Sequence, residues 1–423
     1  MMNIEKRRWS KLLNSSVIIA ALGYFVDVYD LVLFSMVRIP SLKDLGITDM
    51  SRINSVGLML HNWQMFGMLT GGVIWGILGD KRGRLSVLFA SIFTYSVANI
   101  ANAFVDVFTM VSPMSQYAFW RFIAGFGLAG ELGVGITLVS EVMHKEDRGY
   151  GTMVVASVGV TGAVFAAIAS LFLHWKTTYI LGGVLGLALL VLRISVFESG
   201  MFAEVKKQNV SRGNFFSLFY SYSKFSRYIK CILIGVPIWY VIGLLIMYGA
   251  TRYLPLYLDA STYNATKVQP IIIMIGYMGL VLGDICSGTL SQYLKSRKKA
   301  LFMFLTMTAA FIALYFVLLP YINLYGFYAV CFLLGFSCGY WAVFVTVAAE
   351  QFGTNIRATV ATTAPNFVRG AFVLISALDQ LISGMLKSVY AASIIVGIIC
   401  LAVAFLSLYF LRETFGKDMN YTE

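Results

Sequence analysis

Charged side chains are scarce in this sequence: Asp, Glu, Lys and Arg make up 12% of the 423 residues, against 59% hydrophobic ones. A soluble domain could not stay dispersed with so little charge, which excludes a string of globular domains. Cysteine is sparse as well. The five residues Cys231, Cys286, Cys331, Cys338 and Cys400 all fall in apolar stretches, without the CxxC or Cys/His spacing of a redox or metal site. Only three histidines are present, and no HExxH, GxSxG or cluster of His and carboxylate ligands occurs on one helix, so a membrane-embedded enzyme lacks its usual chemistry. No cofactor and no metal are expected.

Long apolar runs are what the chain has instead, and its mean hydropathy is +0.79. A helix crossing about 30 Å of hydrocarbon needs roughly 20 mainly apolar residues. About twelve such stretches can be marked, at 16–37, 53–78, 85–105, 117–139, 150–172, 178–196, 230–257, 267–290, 300–319, 323–346, 356–386 and 388–411. The expected class is an all-α membrane protein. Its N-terminal MMNIEKRRWSKLLNSS is basic and runs into the first stretch without a small-residue cleavage site, so it reads as a retained start.

The formal charge of +12 invites a nucleic-acid reading, but the Lys and Arg residues fall in alternate loops. With a cytoplasmic N-terminus, 23 lie on that side, including Arg193, Arg297 and Arg357. Seven, including Arg38 and Arg252, lie on the other, with Arg121 and Arg369 left inside helices. The positive-inside rule therefore puts both termini in the cytoplasm and makes nucleic acid an unexpected partner. Residues 197–229 interleave Lys206, Lys207, Arg212, Lys224 and Arg227 with Phe215, Phe216, Leu218, Phe219 and Tyr220, a pattern suited to an interfacial amphipathic linker. This linker divides the chain into a six-helix bundle over 1–196 and another over 230–423.

Weak internal repetition supports the division. Phe122, Gly125 and Phe126 correspond to Phe332, Gly335 and Phe336, while Glu141 and Arg148 correspond to Glu350 and Arg357. Gly76, Leu78, Lys81 and Arg82 find a degraded echo in Gly288, Leu290, Lys295 and Arg297.

The stretch Gly76-Ile-Leu-Gly-Asp80-Lys81-Arg82-Gly83-Arg84 resembles the loop between helices 2 and 3 of the major facilitator superfamily. Gly23-Tyr-Phe-Val-Asp27-Val-Tyr29-Asp30 and Arg121-Phe-Ile-Ala-Gly125-Phe-Gly127-Leu-Ala-Gly130-Glu131 are similar to helices 1 and 4 of its sugar, phosphate and metabolite proton symporters. The resemblance implies twelve transmembrane helices in two pseudo-symmetric bundles, alternating access, and a multi-pass protein of the inner membrane acting as a monomer. It also implies that Gly76, Asp80, Arg82, Gly83 and Arg84, with Glu141, Arg148, Glu350 and Arg357, form gating elements on the cytoplasmic side. Gln292 stands where the second copy of the loop motif wants Asp, and no sugar-porter signature follows helix 6, which argues against a sugar. Helix 5 has Gly159-Val-Thr-Gly162 and lacks the Gly-Pro of many antiporters, which favours uptake over export of a metabolite or siderophore.

Ionisable groups at bilayer depth each cost about 2.5–3.5 kcal/mol on insertion scales, so each wants a partner or a function. Asp27 and Asp30 share a face of helix 1. Counting roughly 1.5 Å per residue brings Asp30 and Arg121 to a similar level, where an ion pair is geometrically possible. Such a pair can load and release a proton as it separates. Asp27, Asp30, Arg121 and Glu131 are thus the proton-coupling candidates, with H+ as the coupling ion. Arg369 has either Asp379 or Asp284 for a partner, or else binds an anionic substrate. Tyr29, His61, Gln64, Trp239 and Tyr240 complete the expected substrate pocket. The expected function is proton symport of a small polar metabolite, an organic anion or zwitterion.

Overall fold

The computed structural model describes residues 15–82, 84–107, 111–131, 148–198 and 218–416, leaving aside the side chains of 15–16, 79–82, 84–85, 148–149, 194–198, 260, 354–355 and 357–358. Among the described residues every regular element is helical. The α-helices are α1 (Ser15–Asp44), α2 (Met50–Arg82), α3 (Arg84–Asn102), α4 (Pro113–Leu128), α5 (Arg148–Phe172), α6 (Trp175–Glu198), α7 (Tyr222–Trp239), α8 (Ala265–Tyr293), α9 (Arg297–Leu318), α10 (Leu324–Ser337), α11 (Trp341–Glu350), α12 (Thr354–Leu386) and α13 (Val389–Phe410).

Nine spans among the described residues are long and apolar enough to cross a membrane. α10 and α11 together make one of them, Leu324–Glu350. The apolar surface faces outward, as a protein bathed in lipid requires: Phe172 is 84% exposed and Leu374 74%, whereas Arg38, Arg121 and Asp30 are fully buried.

Helix association in lipid gains nothing from the hydrophobic effect, so close approach depends on small residues. Gly67 and Gly71 of α2 lie against the carbonyls of Phe122 and Phe126 on α4, and Gly279 and Gly283 of α8 lie against those of Phe332 and Phe336 on α10. A Cβ at Gly125 would overlap the Gln64 carbonyl, and one at Gly335 the Gly276 carbonyl. The α2–α4 contact is thus repeated as α8–α10, and the repeated Phe-x-x-Gly-Phe pattern is the backbone-to-backbone contact itself. Both of these crossings also break at matching places. α4 ends at Leu128 in a turn at Ala129–Gly130, and α10 ends at Ser337 before α11 resumes at Trp341.

Two seams join the halves, α5 on α8 and α2 on α12. Along the second the helices run antiparallel. Asn62 meets Ser376 at 3.2 Å, a Cβ on Gly72 would sit 3.1 Å from that of Asn366, and one on Gly76 would sit 3.5 Å from the Thr363 methyl. Pro237 lies in the last turn of α7, and the chain continues through wide π-type turns at Tyr240–Ile246 and Gly249–Tyr253. Such turns are rare and concentrate at functional sites.

Several expectations change. Helix 1 runs on to Asp44, which carries Arg38 into the packed interior rather than a loop. Arg193 is buried within α6, and Arg297 is buried at the start of α9. Moving Arg38 and Arg193 takes one residue off each side of the charge count and leaves the asymmetry standing. Residues 222–229 belong to α7 rather than to a linker, while 199–217 lie outside the described residues.

Candidate functional site

A stripe of α1 organises the interior. Asp27, Asp30, Phe34, Arg38 and Ser41 recur at spacings of three and four and so share one face, acidic toward the terminal end of the bundle and basic toward the other. All four carboxylate oxygens of Asp27 and Asp30 are buried without a hydrogen-bond partner. The Asp30–Arg121 ion pair is not formed. Arg121 instead donates to the Gln64 side chain, with its guanidinium 4.7 Å from the Phe34 ring centre, while Gln64 also donates to the Leu31 carbonyl at 3.3 Å. Helical rise places two residues at one depth but says nothing of the direction each faces, and Gln64 of α2 takes the guanidinium.

Glu131 does not stand free over the cavity. It forms an ion pair with Arg193, both 2% exposed, and Arg193 also donates to the Ile19 carbonyl at 3.3 Å. Arg193 is a site residue that the sequence reading placed in a loop, although it stands between apolar neighbours in Leu-Val-Leu-Arg-Ile-Ser-Val, inside the marked helix. Asp27 lies within electrostatic reach of Glu131, Arg369, Arg193 and Asp30.

Across the interface, Arg369 pairs with neither Asp379 nor Asp284. Asp379 takes Arg252 and the Ser393 hydroxyl, and Asp284 accepts the Ala342 backbone N–H at 3.0 Å, capping α11 in place of a side chain at Tyr340. Arg369 instead reaches the Tyr24 hydroxyl at 3.4 Å and Asn366 at 3.5 Å, and its guanidinium lies 5.3 Å from the centre of a Trp341 ring. Asn366 in turn donates to the Ala129 carbonyl at 2.7 Å, tying α12 to the break after α4.

Between the halves lies a central cavity whose walls include Tyr24, Trp239, Tyr277, Trp341 and Arg369. Its volume is about 20 Å³, room for little more than one water. Trp239 and Arg369 line it, whereas other residues of the expected pocket stand elsewhere. Tyr29 and Tyr240 are tied to helix backbones elsewhere, with hydroxyls on the carbonyls of Thr178 (2.9 Å) and Ser393 (2.6 Å). His61 lies farther from the termini, its Nδ1 3.3 Å from the Tyr248 hydroxyl and its ring stacked 4.7 Å from Phe372.

At the terminal end, Gly76 faces Thr363 and Thr359 on the seam. Glu350 binds Arg297 at 3.3 Å and the Thr414 hydroxyl at 2.7 Å, so its partners lie on α9 and the C-terminal segment. Asp80, Arg82, Arg84, Arg148 and Arg357 have described backbone in helices, but their side chains, with Gly83 and Glu141, lie outside the described residues.

The family model for the Major Facilitator Superfamily matches residues 20–377. The chain is 26% identical over 413 residues to a Bacillus subtilis (strain 168) protein named for niacin/nicotinamide transport, with 96% of each chain covered. It is 27% identical over 383 residues to the niacin transporter of Acinetobacter baylyi, covering 80% of each. Among solved structures, a proton:xylose symporter of the superfamily superposes with a TM-score of 0.70 at 16% identity over 98% of each chain, which speaks for the fold.

Proposed function

The chain belongs to the major facilitator superfamily, and from that premise we propose that this transporter of small metabolites is a proton-coupled symporter for a flat aromatic monocarboxylate of the niacin type. The observation that carries the reading is Arg369, a buried guanidinium with no carboxylate partner, facing a cavity walled by Trp239, Tyr277 and Trp341. A buried cation of this kind is costly unless something negative visits it. Aromatic walls offer stacking to a planar ring while the arginine takes its carboxylate. The names of the two niacin-related proteins agree with cargo of that class.

Coupling follows from charge. Asp27 lies within electrostatic reach of Arg369, so an anion bound at Arg369 cancels part of the positive charge that opposes protonation of Asp27. Anion and proton therefore favour each other's binding, the reciprocal linkage that symport requires. Asp30 is the second free carboxylate on the same face, and Glu131, held by Arg193, completes the line. Ions move only when both are bound, because either alone leaves an uncompensated charge in the interface between rocking halves. The termini face the cytoplasm of the inner membrane in this reading, with H+ as the coupling ion.

Proteoliposomes preloaded at neutral pH and diluted into acidic buffer test it with radiolabelled nicotinate. Wild-type protein accumulates the label under the gradient. Arg369→Gln loses uptake by at least about tenfold, the loss of one charge-assisted contact. Asp27→Asn and Asp30→Asn keep counterflow exchange but lose accumulation. Full gradient-driven accumulation by both carboxylate variants would remove the coupling assignment, and absence of nicotinate uptake by the wild type would remove the cargo assignment.

A further inference from the structure

A second cluster of buried basic side chains lies toward the end of the bundle away from the termini. Arg38, Arg121 and His61 are at most 1% exposed, yet Arg38 Nε and Nη1, Arg121 Nε and Nη1, and His61 Nε2 have no hydrogen-bond partner. Arg38 donates to the Thr251 hydroxyl at 2.9 Å, and its guanidinium carbon stands 4.0 Å from the centre of the Tyr248 ring. His61 Nδ1 lies 3.3 Å from the Tyr248 hydroxyl, and the imidazole tautomer sets which of the two donates. His61 and Tyr248 both lie within electrostatic reach of Arg38 and of Arg121, so the two guanidinium groups and the imidazole form one cluster. Asp30 lies within electrostatic reach of Arg121.

This cluster also has an approach. A cavity of about 560 Å³ opens at this end, lined by Lys43, Met50, Thr251, Tyr263 and Asn264 among others. Its wall residue Thr251 is the one that Arg38 holds. From there the α1 stripe leads through Arg38 and Phe34 to Asp30 and Asp27 beside the central cavity.

We propose that Arg38, His61 and Arg121 form an anion-binding site separate from Arg369, set between this large cavity and the central one, that takes a small monovalent anion, either an organic carboxylate or an inorganic halide. Four buried guanidinium nitrogens of Arg38 and Arg121 without an acceptor are costly, and one monovalent anion accepts from several of them at once. The site does not depend on what the central cavity carries. An anion arriving from the large cavity reaches Arg38 before Arg121 and the carboxylates, so the site works as a waiting station on the path inward.

The test uses purified full-length protein in detergent, with thermal unfolding followed as sodium benzoate or sodium iodide replaces bulky sodium gluconate at constant ionic strength. Saturating anion raises the wild-type midpoint by roughly 2–4 °C. Arg38→Gln and Arg121→Gln lose the shift, Arg38→Lys keeps most of it, and Arg369→Gln keeps it for iodide. A larger shift with benzoate assigns an organic carboxylate, and a larger shift with iodide assigns a halide. The proposal fails if the wild type shows no shift, if the shift survives both glutamine variants, or if Arg369→Gln abolishes it for both anions. Where the variants do not survive purification, anomalous scattering from iodide-soaked wild-type crystals decides: a peak against Arg38 and Arg121 supports the site, and a peak only at Arg369, or none, overturns it.

Discussion

In the first half Gly125 presses on the Gln64 carbonyl, and in the second Gly335 presses on that of Gly276. Around this shared backbone contact the side chains diverge. Where the first half has Gln64, Arg121 and Glu131, the second has Gly276, Cys331 and Trp341 at matching positions of the repeat. Packing has been duplicated while charge has not. The first half concentrates its ions near mid-bundle, at Asp27, Asp30, Arg121 and Glu131 with Arg193. The second supplies aromatic wall and one free guanidinium there, and keeps its ion pairs at the ends, Arg252 with Asp379 and Arg297 with Glu350. In the proposed reading, one half holds the proton and the other the organic ring.

The comparison breaks hardest at the buried pair. Arg193→Met strands Glu131 without a cation and lowers stability by about 3–5 kcal/mol, whereas Arg193→Met with Glu131→Gln regains most of that loss. Thermal unfolding of the detergent-solubilised protein reads both, and equal losses in single and double variants contradict a mutual pair. The duplicated packing is checked next. Gly125→Ala and Gly335→Ala each push a methyl into a facing carbonyl and cost a similar ~1–3 kcal/mol. A loss confined to one half means the repeat is not mechanically equal.

A smaller effect belongs to the C-terminal segment. Burial raises the cost of charge on Glu413, but the Ser296 hydroxyl and the backbone N–H groups of Phe415, Arg297 and Lys298 outweigh it and hold the carboxyl below the usual glutamate range. Its stabilising contribution is therefore full above about pH 4.3 and lost as pH falls below that value. Glu413→Gln should unfold earlier than wild type near neutrality, with the gap closing in acid. The smallest effect belongs to Lys176 and Asp106, an exposed pair at 2.6 Å. Lys176→Met changes stability by about 0–1 kcal/mol, and salt reduces the difference further.

Much of this architecture is legible in the residue order. Hydropathy gives the crossings, and the Phe-x-x-Gly-Phe repeat gives the contact that organises each half. Side-chain partners are less legible. Asp30 and Arg121 stand at one level, yet Gln64 takes the arginine, because rise along an axis fixes depth and leaves azimuth open. Arg193 shows the same limit from the other side: a cation near a helix end can snorkel outward or turn inward, and its choice depends on Glu131 two helices away. The stripe from Asp27 to Arg38 could have been read had helix 1 been carried past residue 37.

The small central cavity bears on how tightly the carrier is sealed. With room for about one water between Trp239, Trp341 and Arg369, the symporter proposed above would, when empty, offer ions and protons no open lumen to slip through. Cargo must act as a wedge, spending part of its binding energy on prising the aromatic walls apart. Weak apparent affinity and strict choice of shape then arise from the same tight fit, since a molecule that cannot fill the space it opens has nothing with which to hold the door.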